Sequence, residues 1–153
     1  MAMILEHVGI TVNDLNKSID FYTKVFGFRL LRKTPTSAYL YLDNELLELM
    51  QSDGPAEMEK PRTPEGWERH MSGAVGLRHL GFRVDDLDEA VENLKKLGGE
   101  LIAPPEMYRP TIEFLAEASE DKLRRVAKPA NTNGWRIAMF CDPDGVILEI
   151  LER

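Results

Sequence analysis

A single cysteine, Cys141, stands in the 153 residues. No internal disulfide can form, and the chain fits a reducing, cytoplasmic setting. The thiol lies in the apolar run W-R-I-A-M-F-C and reads as a small buried hydrophobe, not a nucleophile. No run of about 18 apolar residues occurs, so no membrane span is expected. The N-terminus M-A-M-I-L-E-H lacks the basic stretch and apolar core of a secretory signal. Positive charge is also scarce. The 19 Lys and Arg face 26 Asp and Glu, which gives a net charge of −7 and argues against a nucleic-acid partner, since that needs a basic face. With 43% hydrophobic and 29% charged residues, the chain reads as a globular protein of about one domain, large enough to bury a real core.

What is present is a repeat. L-E-H-V-G-I-T-V-N-D-L at 5–15 aligns without a gap on L-R-H-L-G-F-R-V-D-D-L at 77–87. His7 falls on His79, Gly9 on Gly81, Thr11 on Arg83 and Asp14 on Asp86. Each copy alternates as a strand does, then places an Asp where a helix N-cap belongs. Leu15, Ile19, Tyr22 and Phe26 recur at helical spacing up to Gly27, which is read as the helix-closing residue. The runs F-R-L-L-R-K-T, A-Y-L-Y-L and E-L-L-E-L-M-Q follow as strands, with Asp43-Asn44 as a hairpin turn. The second copy continues as a helix ended by Gly98-Gly99, a short strand Glu100–Ala103, and a hairpin W-R-I-A-M-F-C, D-P-D-G, V-I-L-E-I-L. The expectation is an α+β fold of two tandem βαβββ modules. Module 1 covers about 3–52, a linker loop 53–76, and module 2 about 77–153 with an insertion at 104–133. That insertion holds a charged helical piece around 112–126, either a solvated face or a lid.

Each module also repeats a carboxylate inside its final apolar strand: Glu48 in L-L-E-L-M and Glu149 in I-L-E-I-L. A glutamate buried without a partner costs several kcal/mol, so it is normally paired or metal-bound. Two such residues at equivalent places, each in a unit with its own histidine, point to one divalent metal held by His7, Glu48, His79 and Glu149. Imidazole nitrogen with carboxylate oxygen suits Zn²⁺ or Ni²⁺, with Co²⁺ or Mn²⁺ as alternatives.

The tandem βαβββ pattern resembles the vicinal oxygen chelate superfamily, which includes glyoxalase I, methylmalonyl-CoA epimerase, extradiol dioxygenases, fosfomycin-resistance proteins and bleomycin-resistance proteins. The motifs that carry the resemblance are H-V-G-I-T-V-N-D-L, S-I-D-F-Y-T-K-V-F-G-F-R-L-L-R, H-L-G-F-R-V-D-D-L-D and D-P-D-G-V-I-L-E-I. The second of these looks most like bacterial glyoxalase I. The resemblance implies paired modules that enclose a cavity onto which all four ligands project, and a homodimer. It implies lyase or isomerase chemistry on a small molecule, through proton transfer next to a carbonyl and a metal-stabilised enediolate. It gives the base role to Glu149 first and Glu48 second. The chain departs from the bacterial glyoxalase I pattern at Thr11, where an arginine is expected, and at Ser52, where an asparagine is expected; both would serve glutathione. An epimerase would carry glutamine at Glu48. A dioxygenase needs two histidines and a single carboxylate, and resistance proteins generally lack the metal residues.

Arg83 is a candidate for an anionic substrate group, or a rim arginine paired with an acid. Tyr39, Tyr41, Trp135 and Met139 either line an apolar pocket over the metal or form core. Thr11 and Trp135 complete the substrate-binding candidates. His70, in the linker, reads as solvated, and D-P-D-G as turn chemistry in preference to a calcium loop.

Overall fold

The computed structural model describes residues 5–56, 60–73, 75–108 and 134–152. The elements run β1 (Val8–Val12), α1 (Leu15–Lys24), β2 (Arg29–Lys33), β3 (Ser37–Leu42), β4 (Glu45–Gln51), α2 (Pro64–Ser72), β5 (His79–Val84), α3 (Leu87–Lys96), β6 (Glu100–Tyr108), β7 (Trp135–Cys141) and β8 (Ile147–Glu152). They make two mixed four-stranded sheets, ordered β1-β4-β3-β2 and β5-β8-β7-β6. In each, the first strand pairs in parallel with the last and the other pairings are antiparallel. The expected α+β fold of two βαβββ modules is the one observed.

The repeat extends into the caps. Asp14 accepts from the Lys17 N–H at 3.0 Å and Asp86 from the Glu89 N–H at 2.9 Å, each such cap being worth about 1 kcal/mol. A second capping side chain comes from the last residue of the parallel partner strand. Gln51 accepts from the Leu15 N–H and Glu152 from the Leu87 N–H, both at 2.9 Å. Helix α3 ends at Gly98 (φ +99°) and Gly99, whose N–H groups reach the Lys95 and Leu94 carbonyls, so the last turn is satisfied. Gly27 (φ +74°) lies two residues beyond the Val25 cap of α1, not directly after it.

Alternation sorts the faces of the sheets. Ile10, Val12, Leu40 and Leu49 pack with Leu15, Ile19 and Tyr22 of α1. They form one buried cluster with Leu87, Val91, Phe140, Leu148 and Ile150 of module 2. Leu40 and Leu49 are fully buried, and each contributes about 1.5–3 kcal/mol by leaving water. The modules are tied by aromatic packing, with Phe26 and Phe82 ring centroids 4.8 Å apart, and by the D-P-D-G turn. Buried Asp142 accepts from the Tyr22 hydroxyl at 3.0 Å and from the Asp144 and Val146 N–H groups. Asp144 accepts from the Asn13 side chain at 2.9 Å. The motif is turn chemistry, as read, and it also joins one module to the other.

Burial raises the Asp142 carboxyl above its ordinary value, against the N–H and hydroxyl donors that lower it. The folded value exceeds the unfolded one, so between the two the native state holds a proton the unfolded chain has lost. Asp142 thus favours the fold at low pH, and that contribution fades as pH rises through the folded value. The stability of wild type relative to Asp142→Asn should therefore increase on acidification from neutral pH toward the ordinary Asp value. Urea melts of both proteins across that window check this, and a difference that shrinks refutes it.

Two readings change. The linker is not only loop: α2 starts from a Thr63 cap and Pro64, and lays Trp67 and Met71 against Ile137, Met139 and Leu151 on sheet 2. Strand β6 runs past Ala103 to Tyr108, into the segment read as insertion. Pro104 and Pro105 are accommodated because β6 is a sheet edge and its register shifts between Ala103 and Glu106. The helical piece expected around 112–126 lies outside the described residues. Cys141 is buried and desolvation pushes its thiol up to about 12, in keeping with a structural role.

Candidate metal centre

His7 directly precedes β1, His79 opens β5, and each glutamate lies in the parallel partner strand. The register sets Gly9 beside Glu48 and Gly81 beside Glu149. His7 Nε2 is 3.3 Å from Glu48 Oε2, and His79 Nε2 is 3.4 Å from Glu149 Oε2. The same two-residue contact is therefore built twice. The glycines lie against the carboxylates: a Cβ at Gly81 would stand in ordinary contact 3.5 Å from Glu149 Oε2, and one at Gly9 3.7 Å from Glu48 Oε2 and a tighter 3.2 Å from Met50 Cε. Both glutamate side chains are only 19% exposed, so each carboxylate is largely desolvated and uses the imidazole as its polar partner. The hydrogen bond to Glu149 raises the His79 pKa, while partial burial opposes the shift.

The dyads differ in their surroundings. His7 Nδ1 meets Glu6 Oε2 at 2.7 Å, a contact that fixes which ring nitrogen remains for another ligand. Tyr39 stands opposite Glu48 in the sheet, packs edge-on against His7 at 5.4 Å, and carries Arg32 4.6 Å over its ring. Desolvation, and then the Glu48 carboxylate, raise the Tyr39 phenol above its ordinary value. Met139, buried and apolar, takes the corresponding place opposite Glu149.

Glu149 and Arg83 line a cavity of about 590 Å³ whose other walls include Val8, Leu46 and Leu47 of module 1 and Phe82. Thr11 is exposed on β1, paired with Met50. Trp135 packs against Tyr108 and the second apolar cluster, and is not in the cavity wall. The four expected ligands come together two by two. Among the described residues no three His, Cys, Asp or Glu side chains are grouped so as to hold a metal ion. Sequence reasoning missed Glu6 as the partner of His7, and α2 as a cover on sheet 2. The second was signalled by Thr63-Pro64 and the helical spacing of Trp67 and Met71.

Paired βαβββ modules with a histidine–glutamate dyad in each define a recognisable class, and residues 4–150 match the model of the Glyoxalase/Bleomycin resistance protein/Dioxygenase superfamily. The chain belongs to that superfamily. It is 28% identical to the lactoylglutathione lyase of Escherichia coli O157:H7, over 99% of this chain and 93% of that protein. It is 27% identical to a probable lactoylglutathione lyase of Vibrio cholerae, over 96% and 88%. A glyoxalase family protein of Enterococcus faecalis superposes with a TM-score of 0.66 at 25% identity, covering 97% of each chain. A fosfomycin resistance protein of Listeria monocytogenes shares the fold, with a TM-score of 0.62 at 18% identity. Among the described residues no helix is long and apolar enough to cross a membrane.

Proposed function

We propose that this protein is a divalent-metal-dependent lyase or isomerase of the glyoxalase I type, acting on a 2-oxoaldehyde–thiol adduct or a related α-hydroxy carbonyl compound. The observation that carries the reading is the duplicated dyad, with His7–Glu48 and His79–Glu149 at the same register and nearly the same distance. Two neutral imidazoles and two carboxylates balance a divalent cation and suit Zn²⁺ or Ni²⁺. Since the dyads of one chain do not converge, we place the complete site between two copies in a homodimer, one contributing His7 and Glu48 and the other His79 and Glu149.

When bound, the metal supplies Lewis acidity that polarises the substrate carbonyl and makes the adjacent C–H more acidic. The chain's own residues do the remaining work. Glu149 reaches the cavity with only His79 as its polar neighbour in the dyad, so its carboxylate takes the carbon-bound proton and returns it to the neighbouring carbon. Glu48, faced by Tyr39, is held more firmly and serves chiefly as a ligand. Arg83, on the same cavity wall, binds an anionic group of the substrate. Thr11 and Ser52 stand where glutathione-binding residues are expected, so the thiol carrier is identified by assaying methylglyoxal with glutathione, other thiols and coenzyme A.

Subunit mixing tests the shared site. His7→Ala and His79→Ala should each lose high-affinity metal as separate proteins. Unfolding and refolding an equimolar mixture should restore about a quarter of the wild-type metal content, because half the dimers are mixed and each mixed dimer holds one intact and one doubly broken site. No recovery on mixing rejects a site shared between chains. A wild-type protein that takes up no Zn²⁺, Ni²⁺ or Co²⁺ rejects the metalloenzyme altogether and leaves a ligand-binding member of the superfamily.

A further inference from the structure

We propose that the protein carries a second ligand site, for a small polyanion bearing phosphoryl or carboxylate groups, in the basic cavity between α2 and the junction of the two modules. The cavity measures about 960 Å³, at the upper end of the roughly 300–1,000 Å³ usual for small-molecule sites. Lys60, Arg62, Arg69, His70 and Arg78 line it, and among the described residues Asp144 is the one acidic lining residue. The chain as a whole carries a net charge of −7. Cationic side chains gathered in one concavity of an acidic protein, with Arg62 and Arg69 exposed in it, make a local positive potential that draws an anion.

The architecture of α2 builds this face. Gly66, Arg69, His70 and Gly73 recur at helical spacing on the cavity side, while Trp67 and Met71 anchor the opposite side on sheet 2. The helix is thus fixed by its apolar face, and its basic face is presented to the cavity. Two described acids beside the cavity have partners of their own. Asp144 accepts from the Asn13 side chain at 2.9 Å and from the Asn13 N–H at 3.2 Å, and Glu100 lies 3.9 Å from Lys60. The Thr63 hydroxyl occupies the Gly66 N–H at the start of α2, so the attraction comes from side chains and not from free helix amides. Arg62 and Arg69 are exposed at the cavity, and a guanidinium fork matches two oxygens of one phosphoryl or carboxylate group. None of His7, Glu48, His79 or Glu149 lines this cavity. The proposal therefore stands apart from the metal reading.

The test titrates inorganic pyrophosphate and, separately, citrate into the full-length chain, followed by amide NMR shifts and calorimetry. Saturable binding is expected, with the Gly66, His70 and Gly73 amides moving before that of Glu149. The double variant Arg62→Ala/Arg69→Ala should weaken binding by at least about tenfold, as expected for loss of charge-assisted contacts, and keep its metal uptake. Tighter binding of pyrophosphate assigns the site to phosphoryl ligands, and tighter binding of citrate to polycarboxylates. The proposal is overturned if neither anion saturates, if the double variant binds like wild type, or if the first shifts appear at Glu149. That last pattern marks chelation at the metal centre instead.

Discussion

Glu149→Gln is expected to keep most of the bound metal while lowering turnover by about 10²-fold or more, the usual contribution of a well-placed general base. The amide retains an oxygen of similar position, so a ligand remains, but it has no basic lone pair strong enough to take a proton from carbon. Glu48→Gln should be milder. Glu48 faces Tyr39 across the sheet, whereas Glu149 faces apolar Met139 and lines the cavity beside Arg83, so the two carboxylates are held to different degrees. Metal content measured alongside kcat separates the roles. If Glu149→Gln loses its metal, Glu149 is principally a ligand. If it loses neither metal nor activity, it is not in the site, and the argument from duplication fails with it.

Tyr22→Ala is expected to cost about 3–5 kcal/mol, the range for removing a large buried ring from a core. Tyr22 is fully buried, with Phe21, Phe26 and Phe28 ring centroids 5.4–6.2 Å away. Its hydroxyl donates to Asp142 at 3.0 Å, a bond from α1 of one module to the hairpin turn of the other. Burial, then the Asp142 carboxylate, raise the phenol well above its ordinary value, so it remains a donor throughout the physiological range. Tyr22→Phe isolates that bond. It leaves the ring packing in place and removes one of three donors to a buried carboxylate, at an expected cost of about 1–3 kcal/mol. Urea unfolding of the two variants measures both terms. A Tyr22→Phe protein as stable as wild type would mean that the two backbone N–H groups satisfy Asp142 by themselves.

Much of this was legible in the sequence because it depends on short-range pattern. The alternation of Val8, Ile10 and Val12, the Asp14 and Asp86 caps and the equal depth of Glu48 and Glu149 in their strands are local signals, and each module's topology follows from them. The equivalence of His7 with His79 and of Glu48 with Glu149 followed from repetition, whereas the contact of each histidine with the glutamate of its own module is seen only in the structure. What was not legible depends on contacts distant in sequence. Trp67 and Met71 make a helix worthwhile only because sheet 2 is there to cover, and prolines at 104–105 argue against a strand until β6 is known to be an edge. Gln51 and Glu152 look like ordinary strand-end residues, and only the parallel pairing of β4 with β1 and β8 with β5 brings them to a helix start. How the two dyads meet was not legible either, because a repeat fixes each half-site but not the relative placement of the halves.

The parallel pairing of first and last strands also bears on how a half-site comes into being. Within module 1 the β1–β4 contact joins the ends of the module, across a helix and a hairpin, and in module 2 the β5–β8 contact also spans the 109–133 segment. Loop-closure entropy makes such non-local pairings slow to form compared with hairpins and helices. Each histidine therefore meets its glutamate only when the first and last strands of its module have paired, and a chain still being synthesised cannot assemble the second dyad until β8 has been made. Assembly of the second dyad in this architecture is a report that module 2 has closed its sheet.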